Sequence, residues 1–285
     1  MGNAAAKGPV DSVELIEPSD SGLSDDDFSA ALRTNLPRLF AYARSLDATT
    51  QMLVAERLAN EAVLAKRQGE IVALGGLTLL VPLARSRDAE VQRLATHALA
   101  NLSALAANQR AIAATPECLA VLLQLLASPL PEVSRQAAKT VANISVVPEN
   151  MRLIGDSGGV GPLVLLVSSR APKTRVEAIA AVANLAVDDA NEKMFVEAGV
   201  FSRLVAAVPR PLPADADLCT QVARALRNLS ARKEHAAALR DTEGAQELIA
   251  LMCACKDERV RGQAEIAREH LRAAGVASEP KKEAP

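Results

Sequence analysis

A segment of this chain recurs about every 42 residues, with an asparagine at the same place in each copy. The copies read VAERLANEAV, ATHALANLSA, AAKTVANISV, AIAAVANLAV and VARALRNLSA, and their asparagines are Asn60, Asn101, Asn143, Asn184 and Asn228. One more step reaches His270 in AEIAREHLRA, a degenerate last copy. A fixed period of this size is typical of solenoids built from helical repeats, which are usually extended binding surfaces rather than enzymes.

Residues 101–143 show what one repeat contains. The stretch NQRAIAA predicts a short first helix, CLAVLLQLLAS an apolar second helix and VSRQAAKTVANIS a longer third helix. Glycine turns precede the second helix in most copies, as in LGG at 74–76 and SGG at 157–159. Glycine suits such a turn because it accepts positive φ without a steric penalty. The sequence therefore predicts units of three helices.

The composition limits the residue types that can form the hydrophobic core. Apolar residues make up 49% of the 285 residues but aromatic residues only 2%, so the core must consist of Ala, Leu, Val and Ile. The formal charge of −2 gives no sign of a nucleic-acid binder, and no apolar run approaches the ~20 residues of a membrane-spanning helix. Four scattered cysteines do not form a disulfide framework, which favours a reducing, cytoplasmic setting.

The two ends of the chain differ from the repeats. Four segments are predicted: a disordered start (1–23), an N-terminal capping helix (24–47), the repeats (48–274) and a disordered tail (275–285). Leu46 is expected on the apolar face of the capping helix. Pro37 should kink or divide that helix, because proline cannot donate a backbone hydrogen bond.

The chain begins Met1-Gly2-Asn3, which exposes Gly2 once the methionine is removed. An N-terminal glycine is the first requirement of N-myristoylation, although Ala6 stands where serine or threonine is usual. Two interpretations stay open, a myristoylated Gly2 and a plain disordered terminus. Because one acyl chain anchors only marginally, any membrane association is expected to be weak or to depend on a partner.

The repeat unit resembles that of the armadillo family. The resemblance rests on the pattern NEKMFVEAGVFSRLV, followed by a loop and a helix that ends in Ala-Asn-Leu, and it covers roughly residues 48–274. HEAT repeats, the nearest rival, generally lack the short first helix and the repeated asparagine. The resemblance implies an all-α fold, a right-handed armadillo-repeat superhelix (α-solenoid) with capping helices.

The resemblance also gives the repeated asparagines a role. In armadillo proteins the third helices line a concave groove, and their asparagines hold the main chain of an extended peptide. A carboxamide suits this task because it can donate to a C=O and accept from an N–H. The residues placed in that row are Asn60, Asn101, Asn143, Asn184 and Asn228. The alternative is that each asparagine braces the neighbouring repeat or its own helix end.

Basic residues share the helix face of several asparagines, four or eight positions earlier in the chain. They are Arg93, His97, Arg135, Lys139 and Arg224. Together with the asparagines they form the predicted partner-binding groove. A groove that is basic through its middle favours an extended, acidic partner segment, whereas the alternative is an ordinary solvated helix face. Importin-α-like proteins carry tryptophans in this groove, and this chain has none, so binding of nuclear signals is not expected.

A narrower likeness concerns the short repeat array and the Met-Gly-Asn start. Both look like the small, acylated armadillo-repeats-only adaptors of apicomplexan parasites. That likeness implies an adaptor on the cytosolic face of the rhoptry, an apical secretory organelle, which it helps to position through a myosin motor or a signalling enzyme. The sequence departs from those proteins at residues 4–6, where three alanines replace cysteines used for palmitoylation.

Two short motifs suggest chemistry, but their context does not support it. GDSGG at 155–159 resembles the nucleophile segment of chymotrypsin-like proteases, yet it falls on a helix–helix turn and offers Ser157 no evident histidine base. Cys253 and Cys255 point to different sides of a helix, and zinc requires about four ligands. We therefore predict a non-catalytic interaction adaptor without metal or cofactor. The alternatives are a structural or self-associating solenoid that uses its convex face, and a hydrolase acting through Ser157.

Overall fold

The structure is a computed structural model that describes residues 30, 32–213 and 216–275. This part of the chain is helical and contains no strand. The predictions for residues 1–23, for Gly2, and for all but the first residue of the tail lie outside the described residues.

Helices follow one another with short connections. In chain order they are α1 (Leu36–Ala43), α2 (Ala48–Val63), α3 (Ala65–Ala73), α4 (Gly76–Ala84), α5 (Ala89–Leu102), α6 (Ala106–Ala114), α7 (Pro116–Leu125), α8 (Pro131–Ile144), α9 (Pro148–Asp156), α10 (Val160–Leu166), α11 (Pro172–Leu185), α12 (Asp189–Glu197), α13 (Val200–Ala207), α14 (Ala216–Leu229), α15 (Lys233–Arg240), α16 (Ala245–Cys253) and α17 (Glu258–Gly275).

From α3 onward the helices form five repeats of a short first, an apolar second and a long third helix. The third helices are α5, α8, α11, α14 and α17, and α2 occupies the same place ahead of the first repeat. These helices pack chiefly on the third helices of neighbouring repeats, with further contacts to the shorter helices of their own repeat. Close stacking is possible because these helices meet through alanines, such as the fully buried Ala137 and Ala138 of α8. The all-α solenoid predicted from the sequence is confirmed.

Helix starts carry local signals in the sequence. The side chain of Asp88 accepts hydrogen bonds from Glu90 N and Val91 N at the start of α5, and Asp188 caps α12 in the same way. Prolines open α7, α8, α9 and α11, where a missing backbone N–H costs nothing. The boundaries of the repeats are therefore encoded locally.

Glycines make the turns between most first and second helices. The backbone φ angles are +85° at Gly75, +85° at Gly158, +72° at Gly199 and +72° at Gly244. Residues with a Cβ rarely adopt these values, which explains the repeated glycine. In the second repeat Pro116 begins α7 directly after Thr115, and no left-handed residue is required there.

The N-terminal cap differs from the prediction at one residue. Asn35 interrupts the helix and α1 begins at Leu36, so Pro37 lies in a first turn and the capping helix is divided as expected. Leu39 is buried on the core. Leu46, expected on the apolar face, is instead 106% exposed, because α1 has already ended and Leu46 lies in the connection to α2.

Candidate functional site

The repeated asparagines come together on one surface of the stacked third helices. We call this surface the ladder face and define it as the asparagine positions and the positions four and eight residues before them on α2, α5, α8, α11 and α14. Asn60 is exposed, and Asn101, Asn143, Asn184 and Asn228 are half-buried. Side chains in this setting are reachable from solvent and still touch the neighbouring repeat.

Three of these asparagines donate a hydrogen bond from the amide nitrogen to the preceding repeat. Asn143 Nδ2 donates to Ser103 Oγ at 3.0 Å. Asn184 Nδ2 donates to the carbonyl oxygen of Ala142 at 3.0 Å, and Asn228 Nδ2 to that of Ala183 at 2.7 Å. The amide nitrogens of these three residues therefore brace the neighbouring repeat, which was one of the two roles considered from the sequence. Their carboxamide oxygens are not used in this contact.

Asn101 breaks the pattern. Its Nδ2 is buried and has no hydrogen-bond partner among the described residues. The residue two positions after the ladder asparagine differs between the copies: Ser103 accepts from Asn143, but the corresponding residue in the copy before Asn101 is Ala62, which has no hydroxyl. An unpaired buried amide costs about 1–3 kcal/mol, so Asn101 is the ladder position with the least complete bracing.

The carboxamide oxygens divide the ladder face into two halves. Within the described part of the chain, the oxygens of Asn101 and Asn143 accept no hydrogen bond. In contrast, Asn184 Oδ1 accepts from Arg224 Nη2 at 2.7 Å and Asn228 Oδ1 accepts from Arg227 Nε at 2.9 Å. We call α2, α5 and α8 the open half and α11 and α14 the capped half.

The ladder face is less uniformly basic than the sequence suggested. Arg93 Nε donates to Glu90 Oε2 at 2.7 Å, and Arg135 Nε donates to Glu132 Oε2 at 3.0 Å. These hydrogen bonds from Arg135 hold the pKa of Glu132 down at about 2. Because each acid lies one turn before its arginine, helix-face counting at intervals of four missed it. Both predicted cations are thus paired within their own helices.

His97 and Lys139 lie between these ion pairs. Burial lowers the pKa of His97, and the charges of Arg93 and Lys139 lower it further. A neutral imidazole is therefore favoured near neutral pH. The charge of Lys139 acts on Glu177 of α11, but burial is the larger effect there and raises the pKa of Glu177. Among the described residues Lys139 forms no ion pair within 4 Å.

Arg224 is the predicted cation with the most unusual surroundings. It donates to Gln221 Oε1 at 2.6 Å and to Asn184 Oδ1 at 2.7 Å, and both acceptors are neutral. Burial lowers its pKa, and the nearby charge of Arg227 adds to the effect. The ten predicted groove residues thus lie on the third helices and, for Asn60, on α2. Among the basic ones, Arg93 and Arg135 form ion pairs, whereas Lys139 and Arg224 do not.

A second asparagine row, which the sequence analysis had not assigned a function, lies on the first helices. Seven positions after the ladder asparagines stand Asn108, Asn150 and Asn191, which are 3%, 2% and 0% exposed. Asn108 Nδ2 donates at 3.0 Å to Gln68 O of the preceding repeat and to Leu102 O. Asn150 repeats this arrangement with Gln109 O and Ile144 O, at 3.0 and 2.9 Å. This first-helix row is a structural brace.

Contacts around Asn191 show how tightly that brace fits. Asn191 Nδ2 donates to Met151 O at 2.8 Å. A Cβ placed on Gly155 would lie 1.8 Å from Asn191 Oδ1, so only glycine permits this approach. In the last repeat His235 replaces the asparagine and its Nδ1 lies 2.8 Å from Oε1 of the buried Glu192. The signal for the row was visible as the repeated interval of seven after each ladder asparagine.

Exposed valines lie beside the asparagines. Val63, Val146 and Val187 stand three positions after their asparagines and are 59%, 54% and 61% exposed. The two remaining copies have alanine there. Recurrence at one repeat position makes these residues an apolar margin of the ladder face rather than scattered surface residues.

A wide cleft lies elsewhere, at the N-terminal end of the described residues. It measures about 1150 Å³ and opens between α1, α4 and the connections that follow them. Arg44, Arg85 and Arg87 line it together with Asp88 and Glu117, so its charges largely cancel. None of its lining residues belongs to the ladder face.

The motifs that suggested catalysis or metal binding lie in ordinary structural positions. Ser157 is the C-terminal cap of α9, directly before the left-handed Gly158, so GDSGG forms the turn between a first and a second helix. Burial raises the pKa of Cys118 to about 12. The described residues contain no metal-binding group of His, Cys, Asp and Glu. No described helix is both long and apolar enough to cross a membrane.

Comparison with known proteins identifies the repeat. The family described as "Armadillo/beta-catenin-like repeat" matches residues 68–104 and 148–187. A search among curated proteins found no match. An engineered protein solved by crystallography is 33% identical, with a TM-score of 0.73 over 85% of this chain and 98% of that chain.

Two designed solenoids are also similar to the chain. The first, whose crystal structure was described as that of computationally designed armadillo repeat proteins for modular peptide recognition, is 26% identical, with a TM-score of 0.73 over 83% of this chain and 99% of that chain. The second is a designed armadillo repeat protein in complex with the peptide (KR)4. It is 24% identical, with a TM-score of 0.71 over 84% and 100% of the two chains, a likeness of fold.

Proposed function

Since the chain belongs to the armadillo-repeat family, we propose that it is a non-catalytic adaptor that binds an extended partner segment along the ladder face, the concave groove of such a solenoid. The observation that carries the proposal is the open half, where Asn101 and Asn143 present carboxamide oxygens without a partner. These oxygens match the N–H groups of an extended main chain.

Dimensions agree with this mode of binding. Packed helices lie about 8–10 Å apart, and an extended chain rises about 3.3 Å per residue. Each repeat would therefore face two or three residues of the partner, and the row of asparagines a segment of roughly ten. Since the nitrogens of Asn143, Asn184 and Asn228 already brace the preceding repeat, the oxygens are the groups that would read partner N–H groups.

Charge favours an acidic partner segment. Lys139, Arg224 and Arg227 form no ion pair with a described carboxylate, whereas Arg93 and Arg135 are already neutralised. A designed relative of the same fold was solved with a (KR)4 peptide. Lys139 and Arg224 on the ladder face and Arg227 beside it would repel such a peptide, so the opposite charge is proposed here.

Aliphatic side chains are proposed as the second feature of the partner. Val63, Val146 and Val187 follow the asparagines at a constant interval and are exposed beside them. Burying one such side chain against a partner contributes about 1 kcal/mol or more. A segment that mixes acidic and aliphatic residues would satisfy both the cations and the valines.

Attachment to an organelle is a separate part of the proposal. The Met-Gly-Asn start and the resemblance to acylated armadillo-repeats-only adaptors support a protein that links a motor or signalling partner to a cytosolic membrane face, with the rhoptry as the organelle implied. Gly2 lies outside the described residues. Mass spectrometry of the N-terminal peptide from cells tests this part, and an unmodified Gly2 would leave an adaptor without a lipid.

The experiment that tests the groove compares partner capture by matched variants. Affinity purification with the wild-type chain should recover a partner that the Asn101→Ala/Asn143→Ala variant loses. The control variant Arg85→Gln/Arg87→Gln changes the N-terminal cleft and should retain it. If only the control variant loses the partner, binding in the groove is contradicted, and binding through another face is favoured.

A further inference from the structure

Arg227 is an exception within the repeat. The residue directly before the ladder asparagine is a buried alanine in the four other copies, Ala59, Ala100, Ala142 and Ala183. In the fifth copy it is Arg227, half-buried on α14. An arginine in a place that otherwise holds a buried methyl group requires a reason, because a partly desolvated charge is costly unless paired.

Arg224 and Arg227 lie three positions apart on one helix, and side chains at that interval are neighbours. Both arginines donate hydrogen bonds to neutral acceptors: Arg224 to Gln221 Oε1 and Asn184 Oδ1, and Arg227 to Asn228 Oδ1. Two like charges at this separation repel each other. Among the described residues, neither arginine forms an ion pair within 4 Å.

The other third helices show that this is unusual. Arg93 and Arg135 each have a glutamate one turn earlier. On α14 the corresponding acid is Asp217, but it lies two turns away from Arg224 and faces Arg259 of α17 at 3.8 Å. Glu269 of α17, which is the counterpart of Arg227 in the last repeat, forms no ion pair with it in the described structure.

We infer that Arg224 and Arg227 form an anion subsite of the groove, which takes a carboxylate or phosphate group on a side chain of the bound segment. The inference rests on the proposed function. Guanidinium groups bind such anions in bidentate fashion and more strongly than they bind neutral acceptors. An arriving anion would therefore draw both arginines away from the two carboxamide oxygens.

That exchange links side-chain charge to main-chain recognition. Without an anion, Arg224 and Arg227 cover Asn184 Oδ1 and Asn228 Oδ1, and the capped half stays closed to a peptide N–H. With an anion in the subsite, the two oxygens become free to accept from the partner. The subsite would thus select segments that carry an acidic group at one position, because other segments meet only the open half.

Three labelled 12-residue peptides test the subsite: (Glu-Ser)6, (Gln-Ser)6, and (Glu-Ser)6 with one central phosphoserine. The variant Arg224→Gln/Arg227→Ala removes both charges, and alanine at 227 restores the residue of the other repeats. The control Arg110→Gln/Arg152→Gln removes two exposed arginines of first helices that pair with Glu149 and Asp156. Thermal unfolding establishes that all variants are folded.

Fluorescence anisotropy should show that (Glu-Ser)6 binds the wild type and the control alike and binds the Arg224→Gln/Arg227→Ala variant about tenfold more weakly. Binding of (Gln-Ser)6 should be unchanged or tighter in that variant, since Asn184 and Asn228 are uncovered. A phosphoserine peptide that loses more affinity than (Glu-Ser)6 identifies phosphate as the better ligand, and an equal loss identifies carboxylate; both support the subsite.

Two results overturn the inference in different ways. If the Arg224→Gln/Arg227→Ala variant binds (Glu-Ser)6 as the wild type does, while Asn101→Ala weakens it, the subsite is wrong and the groove stands. If the wild type binds none of the three peptides, the proposed acidic-segment function fails and the subsite fails with it.

Discussion

The first-helix row and the ladder face carry the same residue at the same period, seven positions apart, and use it differently. Asn108, Asn150 and Asn191 are buried, and their amides donate to carbonyl groups of the preceding repeat. Asn101 and Asn143 are half-buried and keep an oxygen without a partner. The comparison teaches that a repeated polar residue is structural where its whole side chain is buried against the neighbouring repeat, and available for binding where part of the side chain reaches solvent.

The comparison predicts its largest effect in the first-helix row. Asn150→Ala removes two hydrogen bonds, from its amide nitrogen to the carbonyl oxygens of Gln109 and Ile144. The free energy of unfolding should fall by about 1–3 kcal/mol, since each lost hydrogen bond contributes about 0.5–1.5 kcal/mol. Urea denaturation followed by circular dichroism measures it. A variant as stable as the wild type would show that this row is not a brace.

Asn101→Ala/Asn143→Ala should have the opposite profile. In the described structure the Asn101 side chain makes no hydrogen bond and the Asn143 side chain makes one. The free energy of unfolding should therefore change by about 1 kcal/mol or less. Binding of (Glu-Ser)6 should weaken by roughly ten- to a hundredfold, at about 1 kcal/mol or more per lost bond pair. Collapse of the fold together with unchanged peptide affinity would reverse the assignment of the two rows.

A gain of stability sharpens the same contrast. Ala62→Ser places a hydroxyl where Ser103 and Ser145 stand in the next two repeats, within reach of the unpaired Asn101 amide. The free energy of unfolding should rise by about 0.5–1.5 kcal/mol, and peptide binding should stay close to that of the wild type, because the Asn101 oxygen remains free to accept a hydrogen bond. Thermal unfolding and anisotropy report the two effects. Destabilisation by this serine would contradict the explanation given for Asn101.

The smallest predicted effect concerns pH and His97. Its pKa is lowered by burial and by Arg93 and Lys139, so the unfolded chain takes up a proton more readily than the folded one. Stability that is present above pH 6.5, the ordinary value for histidine, is lost as the pH falls below it. The melting temperature of wild type relative to His97→Gln should therefore drop between pH 7.5 and 5.5. If the difference in melting temperature between the two proteins does not change with pH, His97 is not desolvated.

The fold was predictable because its signals are local and repeated. The period, the glycine turns at Gly158 and Gly244 and the Ala-rich third helices placed every repeat. Leu46 was misplaced because the end of α1 is not marked by a glycine or proline. Which residues share the ladder face also followed from helical spacing.

The state of the ladder residues was not predictable in the same way. It depends on neighbours one repeat or one turn away, such as Ala62 opposite Asn101 and Glu132 beside Arg135. Departures within the repeat held part of the missing information: alanine in place of serine at 62 and 186, and arginine in place of alanine at 227. Comparing the copies with one another, position by position, would have found them.

The most direct test of the account observes the side-chain amides themselves. Two-dimensional ¹H–¹⁵N NMR of the protein, with asparagine signals assigned by substitution, can follow the NH₂ groups of both rows while (Glu-Ser)6 is added. The account predicts that the signals of Asn101 and Asn143 shift on binding and that those of Asn108 and Asn150 stay in place. Shifts confined to Asn108 and Asn150, or peptide binding that moves neither row, would contradict it.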